Sequence, residues 1–179
     1  AYVPAPDQYN LESSNFVISD NDIGIYCRPE SGGNLLIGSE DPVCDEPEYV
    51  DADSFDRNLS FQSQTQVMRY AQRMTDLGVP NSIKGIVDLY DVTEDWLPIY
   101  DCSAIKGFYM ACGTSGNQFK NAPGVGRLMS GLIEYCESGN HHDSDPFQFN
   151  LKNLNQTFDT RIVSRLRSIN RESSFSVLG

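Results

Sequence analysis

The chain has 179 residues, enough for one domain with a substantial core or for one domain plus part of another. Its 13 Lys and Arg against 25 Asp and Glu give a formal charge of -12, which repels a phosphate backbone or an anionic membrane surface and argues against both as partners. Five cysteines without a CxxC pair, and no apolar run near the roughly 18 residues a membrane span needs, read as a cytoplasmic protein with reduced thiols.

The N-terminal stretch AYVPAPDQYN lacks a signal-peptide pattern, and the absence of an initial Met fits a processed or truncated piece of something longer. Strand signals come first: NFVIS (15–19), GIYCR (24–28) and NLLIGS (34–39), short, apolar and separated by SDND and PESGG turns. Successive strands with such short turns predict an antiparallel meander. The acidic stretch EDPVCDEPEYVDAD reads as a solvated loop.

Beyond it the period changes. Val67, Tyr70, Ala71, Met74 and Leu77 fall at helical spacing, with Arg69 and Arg73 on the other face and Gly78 as a stop, which predicts a helix over 64–77. Strand patterning returns in SIKGIVDLYDV (82–92), then a TED turn, a short WLPIY and a further strand, KGFYMAC (106–112). Val125, Leu128, Met129, Leu132, Ile133 and Cys136 form a second helical stripe over 123–138, ending near Gly139. The rest, 141–179, reads as a polar tail with one short helix near 161–168. His141 and His142, with Asp143 and Asp145 close by, sit just past a helix end, where histidines cap or solvate, and no metal site is assigned.

The segment GTSGNQFKNAPGVGR (113–127) joins the last strand to the second helix. A strand, a glycine-bearing loop and a helix N-terminus together present unpaired N–H groups and the positive end of a helix dipole, a combination that favours an anion. Gly113 and Gly116 allow backbone conformations closed to other residues, and Pro123 suits a first helical turn. No complete GxGxxG and no GxxxxGK[ST] occurs, and Asn117 breaks a GxSxG pattern at Ser115. A plain glycine-rich connection without a ligand stays open on spacing alone.

GIYCRPESGGNLLIGSEDP resembles the strand–turn–strand of FAD-dependent amine oxidoreductases of the D-amino acid oxidase superfamily, which includes glycine oxidase, sarcosine oxidase and dimethylglycine dehydrogenase. GIVDLYDVTEDWLPIYD resembles their late strand with Thr-Pro-Asp and a Pro-Ile turn, and GTSGNQFKNAPGVGRLMSGLI is similar to their closing flavin loop, G-x-S-G-H-G-F-K-x-A-P-x-x-G. The three lie in the family's order and cover about residues 22–138. The resemblance implies FAD, hydride transfer from the carbon beside an amine nitrogen, and a loop bordering the isoalloxazine ring through Gly113, Ser115, Gly116, Asn117, Gln118, Phe119 and Lys120. It also implies that Lys120 helps hold a substrate carboxylate and that Tyr90 and Tyr26 line the substrate cavity. Arg28, two residues beyond Tyr26 and so on the same sheet face, is a candidate carboxylate clamp. The bland alternatives are a solvated loop lysine for Lys120 and ordinary sheet packing or a surface cation for the other three. Asn117 and Gln118 replace the family's His-Gly, Glu94 replaces a common Pro, and Asp88 stands where the covalently flavinylated branch has Cys.

The family's strand–GxGxxG–helix unit has no counterpart here. The expectation is therefore an α+β chain: a substrate-binding antiparallel or mixed sheet crossed by a helix (1–105), the last strand and helix of an incomplete FAD domain (106–140), and the tail. It should act on a small amine substrate with FAD only once joined to the missing N-terminal FAD-binding half or a separate subunit, and its uncovered apolar faces could also drive homo-oligomers. The alternative is a non-catalytic subunit or binding module built on the same fold.

Overall fold

The computed structural model describes residues 1–12, 16–40, 42 and 44–177. Asn15 of the first expected strand, and Asp41 and Val43 of the acidic stretch, lie outside the described residues. The chain divides into two compact units, Ala1–Leu89 and Tyr90–Gly179. Residues 90–105 and 141–179 thus group with 106–140. All sheets are antiparallel and small, and with two α-helices they make a mixed α+β fold.

Unit 1 is a four-stranded sheet with one helix. β1 (Tyr2–Pro4), β2 (Ile18–Asp20), β3 (Ile25–Glu30) and β4 (Asn34–Ser39) lie in the order β1-β4-β3-β2. The expected meander is β2-β3-β4. The fourth strand, β1, adds to its edge, and its three residues ending in Pro4 gave no periodic signal. Alternation along β3 turns Ile25, Cys27 and Pro29 inward and leaves Tyr26, Arg28 and Glu30 on the other face. The inward residues meet Val3, Leu35, Ile37 and, from helix α1 (Phe61–Arg73), Val67 and Tyr70. Inside this core the Cys27 thiol donates to the Tyr70 hydroxyl at 2.6 Å.

The helix starts three residues before the expected 64 because the Ser60 hydroxyl accepts the Ser63 N–H at 3.2 Å, a side-chain cap that the apolar stripe does not reveal. It ends at Arg73, not at the Leu77–Gly78 stop, as Met74 departs from helical dihedrals. Residues 82–92, expected as a strand, form none; only Lys84 bridges to Tyr2. Ile86 and Tyr90 in that stretch are exposed, and Gly85 interrupts the alternation, so a run rich in β-formers stays outside the sheet beyond the Lys84 bridge.

Unit 2 pairs β5 (Ile99–Cys102) with β6 (Tyr109–Cys112) and packs helix α2 (Ala122–Glu137) against them. Its apolar cluster joins Tyr100 of β5, Leu128 of α2 and Val163. The tail is not loose chain. β7 (Gln148–Leu151) and β8 (Gln156–Asp159) form a hairpin, and Phe149 and Phe158 pack on the cluster. One 3-10 turn, Thr160–Val163, replaces the short helix expected over 161–168. No helix among the described residues is long and apolar enough to cross a membrane.

Candidate functional site: the loop between β6 and α2

β6 ends at Cys112, and the chain then takes left-handed dihedrals at Gly113 (φ 68°), Ser115 (φ 49°) and Gly116 (φ 76°). Only such a sequence of turns brings successive N–H groups to one side. The anion they meet first belongs to the protein itself. The Asp91 carboxylate accepts from the Gly113 N–H at 2.8 Å, the Thr114 N–H at 3.0 Å and the Thr114 hydroxyl at 2.5 Å. The Asp91 carbonyl accepts from the Ser115 N–H at 3.3 Å. Burial pushes the Asp91 carboxyl up, but the hydrogen bonds from Thr114 and Gly113 outweigh it and hold the group below its ordinary value.

The middle of the loop is tied by side chains. Tyr100 donates to the Gln118 side-chain oxygen at 3.0 Å, Asn121 donates to the same oxygen at 2.9 Å, and the Gln118 amide nitrogen donates to Asn117. These side chains are spent on the loop's own geometry. Its backbone is not: the N–H groups of Gly116, Gln118 and Phe119 have no acceptor among the described residues. They lie just before α2, whose 16 residues direct the positive end of the dipole towards them. Pro123 stands in the first turn of that helix as expected. Lys120 is exposed, with no ion pair among the described residues, and Phe119 is 97% exposed.

Both tyrosines singled out from the sequence lie across a glycine. A Cβ added at Gly116 would come within 2.7 Å of the Tyr90 ring, and one at Gly38 within 2.5 Å of the Tyr26 ring, so each ring rests on bare backbone. Tyr90 is thereby brought to the loop within unit 2. Tyr26 and Arg28 share one face of β3 in unit 1, and the Arg28 guanidinium pairs with Glu30 at 2.9 Å. That pair is half exposed and easily exchanged for another carboxylate.

A family model described as FAD dependent oxidoreductase matches residues 2–132, from β1 into α2. The chain belongs to that family. No curated protein and no solved structure matches it significantly. FAD fits what unit 2 presents: N–H groups without an acceptor among the described residues, just before a helix N-terminus whose first turns carry Gly124 and Gly126, where an added Cβ would meet nothing within 4 Å. The dinucleotide half of FAD finds no fit, since no GxGxxG element is present to take its pyrophosphate.

The FAD dependent oxidoreductase match stops short of the residues that hold the loop's surroundings together. Arg167 makes a two-pronged pair with the fully buried Asp95, at 3.0 Å and 2.6 Å, and Asp95 also accepts the Asn170 and Leu97 N–H groups. The Arg167 hydrogen bonds hold the Asp95 carboxyl well below the usual range, against its burial. Arg165 bridges Asp143 and the fully buried Asp101, which also accepts from Ser164. His142 neither caps nor solvates the helix end. It is buried, accepts the Phe147 N–H on Nδ1 at 3.1 Å and places Nε2 3.4 Å from Asp101. Asp101, Cys102 and Asp143 bring potential metal-binding atoms within 4.8 Å of one another, but the Arg165 guanidinium already pairs with both carboxylates.

Sequence reasoning missed Asp91, whose partners lie 22 and 23 residues downstream, and the two tail arginines, which lie 64 and 72 residues from their aspartates. The alternating Arg165 and Arg167 were a visible signal without a visible partner.

Proposed function

We propose that this chain is the C-terminal part of an FAD-dependent oxidoreductase that oxidises an amino acid or an N-methylated amine. It would be completed by a dinucleotide-binding portion encoded upstream or on a separate subunit. The observation that carries this reading is the row of N–H groups at Gly116, Gln118 and Phe119, without acceptors among the described residues and ahead of α2, in a chain whose family depends on FAD.

Bound FAD supplies a hydride acceptor for the carbon beside the amine nitrogen. The chain's own part is to position and to polarise. The free loop amides and the α2 dipole favour negative charge at the ring edge they border, an effect of about 1 kcal/mol or more at a buried position. Tyr90, held flat on Gly116, gives an apolar wall to the amine pocket. Each unit offers one candidate cation for a substrate carboxylate: Lys120 in unit 2, without an ion pair among the described residues, and Arg28 in unit 1, which would have to give up Glu30. Phe108, Phe119 and Ile133 in unit 2 are exposed apolar side chains that the completing portion, or a second copy, would cover.

The test is expression together with the natural upstream sequence, followed by the flavin absorption spectrum and its bleaching by sarcosine, dimethylglycine, glycine and D-amino acids under nitrogen. Bleaching by one of these amines supports the reading. A flavin-free protein, or a bound flavin that none of them reduces, removes it and favours a non-catalytic subunit.

A further inference from the structure

A loop whose purpose is to offer N–H groups to a cofactor has already given its first ones away. The Gly113 and Thr114 amides and the Thr114 hydroxyl all converge on Asp91, and the Ser115 amide on its carbonyl, so every N–H from Gly113 to Ser115 is consumed before the loop reaches Gly116. The cost of this arrangement is visible. Ser115 is fully buried in a left-handed conformation that a residue with a side chain adopts only when its surroundings impose it. Its own hydroxyl contributes only a 3.3 Å bond to the Gly113 carbonyl. Asp91 holds the chain on both sides of that turn, its carboxylate on the Gly113 and Thr114 amides and its carbonyl on the Ser115 amide.

We propose that Asp91 is a positioning residue: it latches the start of the loop, so that the amides from Gly116 onward are the ones left to a bound anion or polarised ring. It acts through the backbone and through Tyr90. Asp91 immediately follows Tyr90, and fixing Asp91 on Gly113 and Thr114 fixes the Tyr90 ring on Gly116. The latch also removes a competitor. With a carboxylate on the Gly113 and Thr114 amides, a second anion is repelled from that end of the loop and drawn to the end nearer α2. The consequence for catalysis rests on the FAD reading above; the latch itself does not.

The chemistry of the side chain makes the test specific. In Asp91→Asn one acceptor oxygen becomes an NH2 donor, which must face either the Gly113 N–H or the two Thr114 donors, so at least one donor-to-donor clash replaces a bond. Thr114→Val removes only the hydroxyl bond and keeps both amide bonds. Amide hydrogen exchange of the chain should rise at least tenfold over 113–115 in Asp91→Asn and only a few-fold in Thr114→Val, while β7, β8 and unit 1 keep the parent rates. Unchanged loop exchange in Asp91→Asn, or a rise of the same size throughout unit 2, would overturn the latch.

In the complete flavoprotein, Asp91→Asn should alter the flavin visible spectrum and lower kcat more than it raises KM, with Thr114→Val intermediate. A native spectrum and native kinetics in Asp91→Asn would overturn the positioning role. A parent protein that binds no flavin would overturn the FAD reading, while the exchange measurement still decides the latch.

Discussion

The two units of this chain are held by different physics. Unit 1 has an interior of Val3, Ile25, Cys27, Leu35, Ile37, Val67 and Tyr70, apolar groups from a sheet and a helix. Unit 2 buries fewer apolar residues, Tyr100, Leu128, Leu132 and Val163, and adds Asp95, Asp101, His142, Thr160 and Ser164. A hydrophobic interior tolerates loss by degrees, because each methylene removed costs its own share. A buried ion pair does not, because removing one partner strands the other charge in a medium that cannot solvate it. The unit that carries the candidate flavin loop is therefore the one that should fail abruptly.

The sharpest way to break the comparison is Arg167→Ala. Asp95 is fully buried and Arg167 nearly so, and a stranded carboxylate there should cost about 3–5 kcal/mol, enough to unfold a marginal unit. Trp96, the chain's one tryptophan, sits next to Asp95 and reports on unit 2 alone. Its fluorescence transition should move to much lower denaturant, with the amide signals of β3 and β4 little changed. A cooperative loss of both would show that the units do not unfold separately.

The mirror experiment is Leu35→Ala. Leu35 is fully buried in the unit 1 core, and the lost methylenes and cavity should cost about 2–5 kcal/mol. Here the β3 and β4 amides should report the loss and the Trp96 transition should stay in place. An equal shift in both probes would again count against independent units.

This division also explains what could be read in the sequence. β4 has the expected bounds, and both helices appear near their expected places, because apolar residues at a fixed spacing must face a core nearby. The same logic misled at 82–92, where Ile86 and Tyr90 have strand propensity but stand exposed outside any strand. It was silent on β1, whose pairing with β4 supplies what three residues cannot signal by themselves. Unit 2 was less legible because its interior is built from specific pairs. Nothing local in RIVSRLRSIN distinguishes two arginines that bury against aspartates from two that point into water. The loop's glycines were legible as a device for gathering N–H groups. That the first anion gathered is Asp91 was not, since a carboxylate near the end of an expected strand carries no sign of the loop it will meet.

Acid should separate the units with a smaller effect than either core substitution. The carboxyls held below their ordinary range, Asp91, Asp95, Asp143 and Asp159, all lie in unit 2. Each has a folded pKa below its unfolded value, so its contribution is fully present above the unfolded value of about 4 and is lost as the pH falls through the folded one. For Asp159, which its hydrogen bonds from Arg161 bring to about 2, that window runs from about 4 down to about 2. Titrating from pH 5 to pH 2.5 should lower the Trp96 transition more than the loss of β3 and β4 amide signals. Arg167→Ala should flatten the dependence, because Asp95 then loses the partner that holds its proton off. A steeper acid loss in unit 1 would contradict the assignment of buried charge to unit 2.

The smallest expected effect on folding is at Arg28, and there the comparison turns from stability to chemistry. Arg28 pairs with Glu30 across a half-exposed surface, with 45% of its side chain accessible, so Arg28→Ala should change unit 1 stability by no more than about 1 kcal/mol. If its role were only to pair with Glu30, the complete flavoprotein would lose nothing else. A guanidinium that holds a substrate carboxylate predicts a different pattern: KM for carboxylate-bearing amines rises about tenfold or more, kcat changes little, and Arg28→Lys recovers only part of the loss because an ammonium cannot make the two-pronged contact. An amine without a carboxylate should be oxidised equally well by parent and variant. Equal losses for both substrate types would assign Arg28 to the sheet, and leave Lys120 as the cation for the carboxylate.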